Sequence, residues 1–217
     1  MGTMLHRRGT QSLMIFALAL RTLSPSVTAQ ESSCSKASAK TEQRIKAARS
    51  RSDAADTNPY RDTDFALTYK TPYGWVDRTQ QMQDPENDSS KSKLLLAVFE
   101  RPPEAVGDTI NSAVVIAAES ASSYPGLKTA ADYIGPLTEL TTSKGFKVVG
   151  EPYETSVGTT TLVRLDCTRE LGKLTMRQSS LVLLRNKFVV SFTFIAGSTD
   201  ELDELIEKLS FDTPKSK

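Results

Sequence analysis

The residues that could do chemistry in this chain are acids and arginines, because its only histidine lies near the start. His6 precedes a segment with the three parts of a secretory signal: basic Arg7 and Arg8, an apolar run over residues 13–20, and small residues up to Ala29. Cleavage after Ala29 would leave a mature chain without histidine. We therefore expect neither Ser-His-Asp nor Cys-His catalysis, and no imidazole metal ligand.

One predicted strand carries the first candidate site. Arg164, Asp166 and Thr168 alternate along it and so share a polar face. The next strand adds either Arg177 or Gln178, depending on a pairing register that the sequence does not give. This face could bind an anionic ligand or a partner through bidentate arginine contacts. The alternative is a solvated sheet face with cross-strand ion pairs.

Aromatic residues form the second candidate. Tyr73, Trp75, Tyr124 and Pro125 stand in loop-like sequence, and we expect them to gather near one loop end as a binding groove. The alternative for Trp75 is a place in the core.

A carboxylate pair is the third candidate. Glu100 and Glu119 each end an apolar strand, and with Asp166 they would be the acids of a small histidine-free hydrolase or lyase. Glycines at 107 and 158 lack the pattern of a phosphate-binding loop, and no Gly-x-Ser-x-Gly elbow occurs. We therefore assign no catalytic residue, no cofactor and no metal.

Two cysteines leave one question open. In an oxidising compartment Cys34 and Cys167 could form a disulfide that closes a long loop. Cys167, however, stands in a strand pattern beside apolar residues, which is typical of a buried free thiol.

Net charge and the length of the apolar run exclude two further classes of protein, nucleic-acid-binding and membrane-spanning. The chain has 217 residues with 27 Lys+Arg and 26 Asp+Glu. Three basic residues and no acidic ones fall before residue 30, so the mature chain carries 24 − 26 = −2. That balance gives no basic excess for a nucleic acid. The apolar run over 13–20 is about half the ~20 residues that span a bilayer, so we expect no transmembrane segment after cleavage.

The order of elements predicts an α+β fold. We expect a signal peptide over 1–29, a flexible polar tether over 30–61, a folded domain over 62–213 and a tail over 214–217. Within the domain, early strands precede a helix over 129–143 that Gly135-Pro136 should kink or split. Antiparallel strands follow, and then a last helix that begins at Ser198 or Thr199.

Four parts of this order resemble the PsbP-like superfamily, the lumenal extrinsic proteins of photosystem II and their secreted bacterial relatives. They are the opening strand with a proline-to-tryptophan turn over 65–75, the helix at 130–134, the long late hairpin, and a last helix ending in Leu209-Ser210-Phe211. The resemblance implies a single α/β/α sandwich domain around an antiparallel sheet, used for binding and assembly. Plant members bind metal partly through histidine, which the mature chain lacks, so that role is not carried over.

Together these observations predict an exported protein, periplasmic or secreted, that acts as a non-catalytic binding or assembly module. Its partner would be a protein of the envelope or lumen, and not a nucleic acid. The hydrolase or lyase and a purely structural envelope component are the alternatives.

Overall fold

The computed structural model describes residues 59–84, 88–105 and 107–212. The expected signal peptide, most of the tether with Cys34, and the tail lie outside these residues. The first described strand is Tyr60–Asp62, and its first two residues fall within the expected tether. They form a strand because they pair antiparallel with Leu67–Tyr69.

The described residues contain ten strands in two antiparallel sheets. The larger has seven strands in the order β3-β4-β5-β9-β8-β7-β6, and the smaller has three in the order β1-β2-β10. Their bounds are β1 Tyr60–Asp62, β2 Leu67–Tyr69, β3 Val76–Asp77, β4 Ser92–Phe99, β5 Ala113–Ser120, β6 Lys147–Val157, β7 Thr160–Leu171, β8 Leu174–Arg185, β9 Phe188–Ala196 and β10 Leu209–Phe211.

Tight turns make the expected meander from β6 to β9. Asn186 and Lys187 both have positive φ, 52° and 65°, as the two-residue turn between β8 and β9 requires. Gly158 and Gly172 take the same left-handed region at the two preceding turns, where glycine has no steric cost.

Both faces of the large sheet are covered. One face packs against a 3₁₀ turn (Ala131–Tyr133) and helix α2 (Ile134–Ser143). The other packs against helix α3 (Thr199–Ile206) and the three-stranded sheet. A third helix, α1 (Thr79–Met82), is one turn long. The expected α+β fold, an α/β/α sandwich around an antiparallel sheet, is confirmed.

The break in the middle helix lies earlier than expected. The 3₁₀ turn gives way to α2 at Ile134, and Pro136 falls in the first turn of α2. There the missing N–H of proline has no acceptor within the helix, so the residue fits without a kink. Gly145, at φ +83°, follows the helix, as expected.

The last helix starts as expected but ends earlier, because Leu209–Phe211 pairs with β2 as strand β10 and is not the end of the helix. Ser198 caps α3, and its side chain accepts a hydrogen bond from the Glu201 N–H at 3.2 Å. Leu202 and Leu205 are buried against the sheet. The cap and this apolar stripe place the exposed side chain of Asp203 close to strand β7.

Candidate functional site

The pairing of β7 with β8 settles which residue joins the polar face. Thr168 lies opposite Arg177, and Cys167 lies opposite Gln178. Because residues directly opposite each other point to the same side of a sheet, Arg177 belongs with Arg164, Asp166 and Thr168. This face is the one that α3 covers.

Arg164 and Asp166 form the centre of a hydrogen-bonded network. The Arg164 Nε donates to Asp166 Oδ1 at 2.9 Å, and its Nη1 donates to Asp203 Oδ1 at 3.2 Å. The hydroxyl of Ser179 donates to the same Asp166 oxygen, and that of Tyr153 donates to Oδ2 at 3.2 Å. The network thus joins strands β6, β7 and β8 to helix α3.

The surroundings of Arg164 favour its protonated, charged form. Burial lowers the pKa of Arg164, but the hydrogen bond and charge of Asp166 outweigh it and raise the pKa above its ordinary value. The guanidinium also lies 5.8 Å from the centre of the Tyr153 ring, within range of a cation–π contact. Burial, followed by the charge of Asp166, raises the pKa of Tyr153. The ion pairs of this network run along β7 and from β7 to α3, and its cross-strand contacts are hydrogen bonds from Tyr153 and Ser179, so the cross-strand ion pairs of the second interpretation are not found among these residues. That these residues bind a ligand or partner stays a prediction.

The other two members of the face are less central. Arg177 donates from Nη1 to the carbonyl of Gly197 at 2.9 Å, which ties β8 to the segment that precedes α3. Thr168 lies half-buried beside it. Thr168 and its β8 partner Arg177 lie toward the end of β7 that is farther from Arg164.

The predicted aromatic cluster is wrong. Trp75 packs against the core on the α3 side of the sheet, and Tyr124 packs against the core on the α2 side. They also lie at opposite ends, because Trp75 precedes the pairing of Val76 with Phe99, whereas Tyr124 follows the far end of β5. Tyr73 is 66% exposed. Two loops that look alike in sequence are separated by the length and thickness of the sheet.

The proposed carboxylate pair is also wrong. The Glu100 N–H donates to the carbonyl of Ser112, the residue directly before β5, whereas Glu119 lies near the end of β5. The extended chain from Ser112 to Glu119 separates them by about 20 Å. The two acids therefore cannot act on one substrate bond. Asp166, the third expected acid, is held in the network described above.

Glu119 has a different and unexpected setting. Its side chain is buried and accepts hydrogen bonds from the hydroxyls of Tyr133, at 2.9 Å, and Tyr124. Burial raises the pKa of Glu119, and the two tyrosine hydrogen bonds oppose the shift. The two rings meet edge to face, 5.1 Å apart. In the sequence, this setting could have been recognised from a charged residue within the apolar pattern of a buried strand.

Cys167 is a free and buried thiol, as one of the two interpretations had it. It lies on the α2 side of the sheet. Burial, with a smaller contribution from Asp166, raises its pKa to about 11. A thiol in this setting is unreactive at neutral pH.

Sequence reasoning missed the edge of the sheet. Among the described strands β6 is the outermost and pairs within the sheet on one side only, and nine of its eleven residues are exposed. Val148, Val149 and Tyr153 are 36%, 51% and 46% exposed. Val149 lies opposite Asp166 and Tyr153 lies opposite Arg164, so the apolar edge adjoins the polar network.

Within residues 59–84, 88–105 and 107–212, no group of three or more His, Cys, Asp or Glu side chains is placed to hold a metal ion. No helix in this part of the chain is long and apolar enough to cross a membrane.

Comparison with known proteins returns likenesses of structure. No family model and no curated protein matches the chain. PsbP from the cyanobacterium Synechocystis sp. PCC 6803 is 12% identical over 73% of this chain and 96% of its own, with a TM-score of 0.48. A protein of unknown function from Pseudomonas aeruginosa, described as a putative regulator, is 17% identical over 74% and 98%, with a TM-score of 0.37.

A third likeness is LpqN of Mycobacterium tuberculosis, described as involved in cell envelope biogenesis. It is 14% identical over 72% of this chain and 90% of its own, with a TM-score of 0.39. These likenesses concern the fold, and they assign no partner or activity. One of them is a PsbP protein, the group that the sequence resembles.

Proposed function

We propose that this chain is an exported, non-catalytic binding or assembly module, and that it binds its partner along the edge strand β6. One observation carries the proposal. Among the described residues four large hydrophobic side chains are exposed, and three of them, Val148, Val149 and Tyr153, lie on this one strand. Exposed apolar groups collected in one place mark interaction surfaces more often than scattered ones do.

The edge offers two kinds of contact. An outermost strand presents unpaired backbone N–H and C=O groups, which another strand can pair with. Beside it, the face with Arg164, Asp166, Thr168 and Arg177 supplies charge. An apolar centre with a polar border is the usual composition of a protein interface. Tyr73 and Trp75 lie outside this surface.

The arrangement of the acids supports a role without catalysis. Glu100 and Glu119 lie about 20 Å apart along the strands, and Asp166 accepts hydrogen bonds from Arg164, Tyr153 and Ser179. The signal-like residues 1–29 support export. The proposal therefore combines export, a binding surface at the β6 edge, and the separation of Glu100 from Glu119 in the described part of the chain.

Photocrosslinking tests the proposed surface. A photoreactive phenylalanine analogue would replace Val149 in one variant and Tyr73 in another, in the full chain within its native extract. Tyr73 is the matched control, because it is the one exposed large hydrophobic residue outside β6 in the described part of the chain. We expect a discrete adduct from position 149 and none from position 73. Equal adducts from both positions, or none from position 149, would contradict the proposal.

A further inference from the structure

Helix α3 presents a row of acidic side chains on its outer side. Asp200, Asp203, Glu204 and the C-cap residue Glu207 are all exposed. Residues three, four and seven positions apart lie on one side of a helix, here the side opposite the leucines that pack on the sheet. We call these four residues the α3 face. Among the described residues Asp203 alone of the four forms an ion pair, with Arg164.

The positions of these acids are unfavourable for the helix by itself. Asp200 and Glu204 are four residues apart, as are Asp203 and Glu207, and like charges at this spacing repel each other. Glu204 lies in the last turn, which contains no basic residue, and there the negative end of the helix dipole adds to the repulsion. Positive charges bound on the α3 face would relieve both effects. The face is therefore suited to a positively charged occupant.

An exposed aromatic ring adjoins the α3 face. The guanidinium of Arg164 donates to Asp203 at 3.2 Å and lies 5.8 Å from the centre of the Tyr153 ring, so one side chain contacts both residues. Tyr153 is 46% exposed. The occupant should therefore carry an apolar side chain among its positive charges.

One segment of this chain has that composition. Residues 36–51 contain six basic residues and one acidic residue, a net charge of +5. Residues 59–217 contain 18 basic and 22 acidic residues, a net charge of −4. Ile45, the one large aliphatic residue over 30–58, stands between Arg44 and Lys46. The segment thus combines the opposite charge with a single apolar side chain.

The chain enters the folded domain close to the end of α3. Tyr60 and Leu209 lie opposite Tyr69 on its two sides, so they are two strand spacings, about 10 Å, apart. Leu209 follows the end of α3 at Ile206 by three residues. The nine residue steps from Arg51 to Tyr60 can span up to about 30 Å, and a helix of this length is about 12 Å long. The segment can therefore reach the whole α3 face.

We propose that the α3 face binds residues 36–51 of the same chain, with Ile45 against Tyr153 and the neighbouring basic side chains on the acids of α3. Exposed ion pairs are individually weak. Attachment close to the site offsets this weakness, because it holds the segment at an effective concentration on the order of millimolar. Tyr153 also belongs to the β6 surface, so the bound segment limits the access of a partner to that surface. In this consequence the inference rests on the proposed function.

Photocrosslinking within the purified full chain tests the contact. A photoreactive phenylalanine analogue at position 45 should form an adduct to the peptides that contain α3 or Tyr153. The yield should not change on dilution, because both groups belong to one molecule, and it should fall at high salt, which screens exposed charges. Glu204→Lys should lower the yield by about fivefold or more, because an attraction becomes a repulsion.

Glu139→Lys is the matched control. Glu139 is also an exposed glutamate on a helix, but its helix, α2, covers the opposite face of the large sheet. The substitution changes the net charge by the same amount as Glu204→Lys and should leave the yield unchanged. The double variant R44E/K46E reverses charges on the other side of the contact and should lower the yield with no change in residues 59–212. Thermal unfolding of every variant checks that the fold is intact.

Equal yields from Glu204→Lys and Glu139→Lys, or no adduct from position 45, would overturn the proposal. An adduct between two molecules that falls on dilution would also overturn it and identify a second copy as the source of the segment.

The effect on partner access is measured separately. Deleting residues 36–51 should raise the yield of the partner adduct from position 149 in the native extract, and an unchanged yield would refute the control of access. No partner adduct from position 149, with or without the segment, would remove the proposed function. The contact at the α3 face would then still stand, because the purified chain measures it alone.

Discussion

Tyr133→Phe is expected to cost more stability at neutral pH than in acid, because the lost hydroxyl binds a buried carboxyl group. Tyr133 is 2% exposed and donates to Glu119 Oε2 at 2.9 Å. Tyr124 is the second donor to that oxygen. No cation lies within ion-pair distance of Glu119 among the described residues. The two hydroxyls are therefore the groups that stabilise the charge of this carboxylate.

The sign of the pH dependence follows from the pKa of Glu119. Burial raises this pKa in the folded chain above the ordinary value of 4.5, despite the hydrogen bonds from the tyrosines. As pH rises, the unfolded chain loses this proton first. The stability that Glu119 contributes is thus fully present below about pH 4.5 and is lost as pH rises through the raised folded-state pKa.

The magnitude comes from the charge of the acceptor. A hydrogen bond to a neutral group stabilises by about 0.5–1.5 kcal/mol, and one to a charged group by about 1.5–3 kcal/mol. The phenylalanine ring keeps its edge-to-face packing on Tyr124, so the substitution removes little besides the hydroxyl. We expect Tyr133→Phe to cost about 1 kcal/mol near pH 4 and about 2 kcal/mol near pH 8.

Urea denaturation of the parent chain and the variant at the two pH values measures both costs. An unchanged dependence on urea would show that the folded state keeps its compactness. The control is the same substitution in a Glu119→Gln background, where the side chain cannot ionise and the cost should not depend on pH. An equal cost at both pH values in the parent chain would refute the reasoning.

Two further predictions concern the β7 region. Asp166→Asn should lower the free energy of unfolding, measured by urea denaturation, by about 1–3 kcal/mol, because Arg164 loses its closest charged partner. Asp203→Asn removes an exposed partner and should cost less than about 1 kcal/mol. Equal costs for the two substitutions would contradict the network. Cys167 should resist alkylation near neutral pH in the folded chain and react after unfolding, because burial raises its pKa to about 11. Mass spectrometry of the peptide that carries Cys167 measures this, and comparable labelling of folded and unfolded chain would count against it.

Features governed by local chemistry could be predicted from the sequence. The cap at Ser198 and the turn at Asn186 and Lys187 depend on residues within a few positions of each other. Alternation alone placed Arg164, Asp166 and Thr168 on one face of a strand, and the structure has them there. The choice between Arg177 and Gln178 required the register, which is a property of two strands.

Only the tertiary structure decided which surfaces remain open. Val148 and Val149 look in sequence like the apolar residues of any other strand, and they are exposed on β6, which among the described strands pairs on one side only. Tyr73, Trp75 and Tyr124 were expected together and lie apart, because the order of the strands separates their loops. Strand order and register are set by contacts between residues distant in the chain, where a one-residue shift exchanges the two faces. The sequence by itself therefore determined the elements and their faces, and long-range pairing decided which of those faces meet and which edge is left to bind.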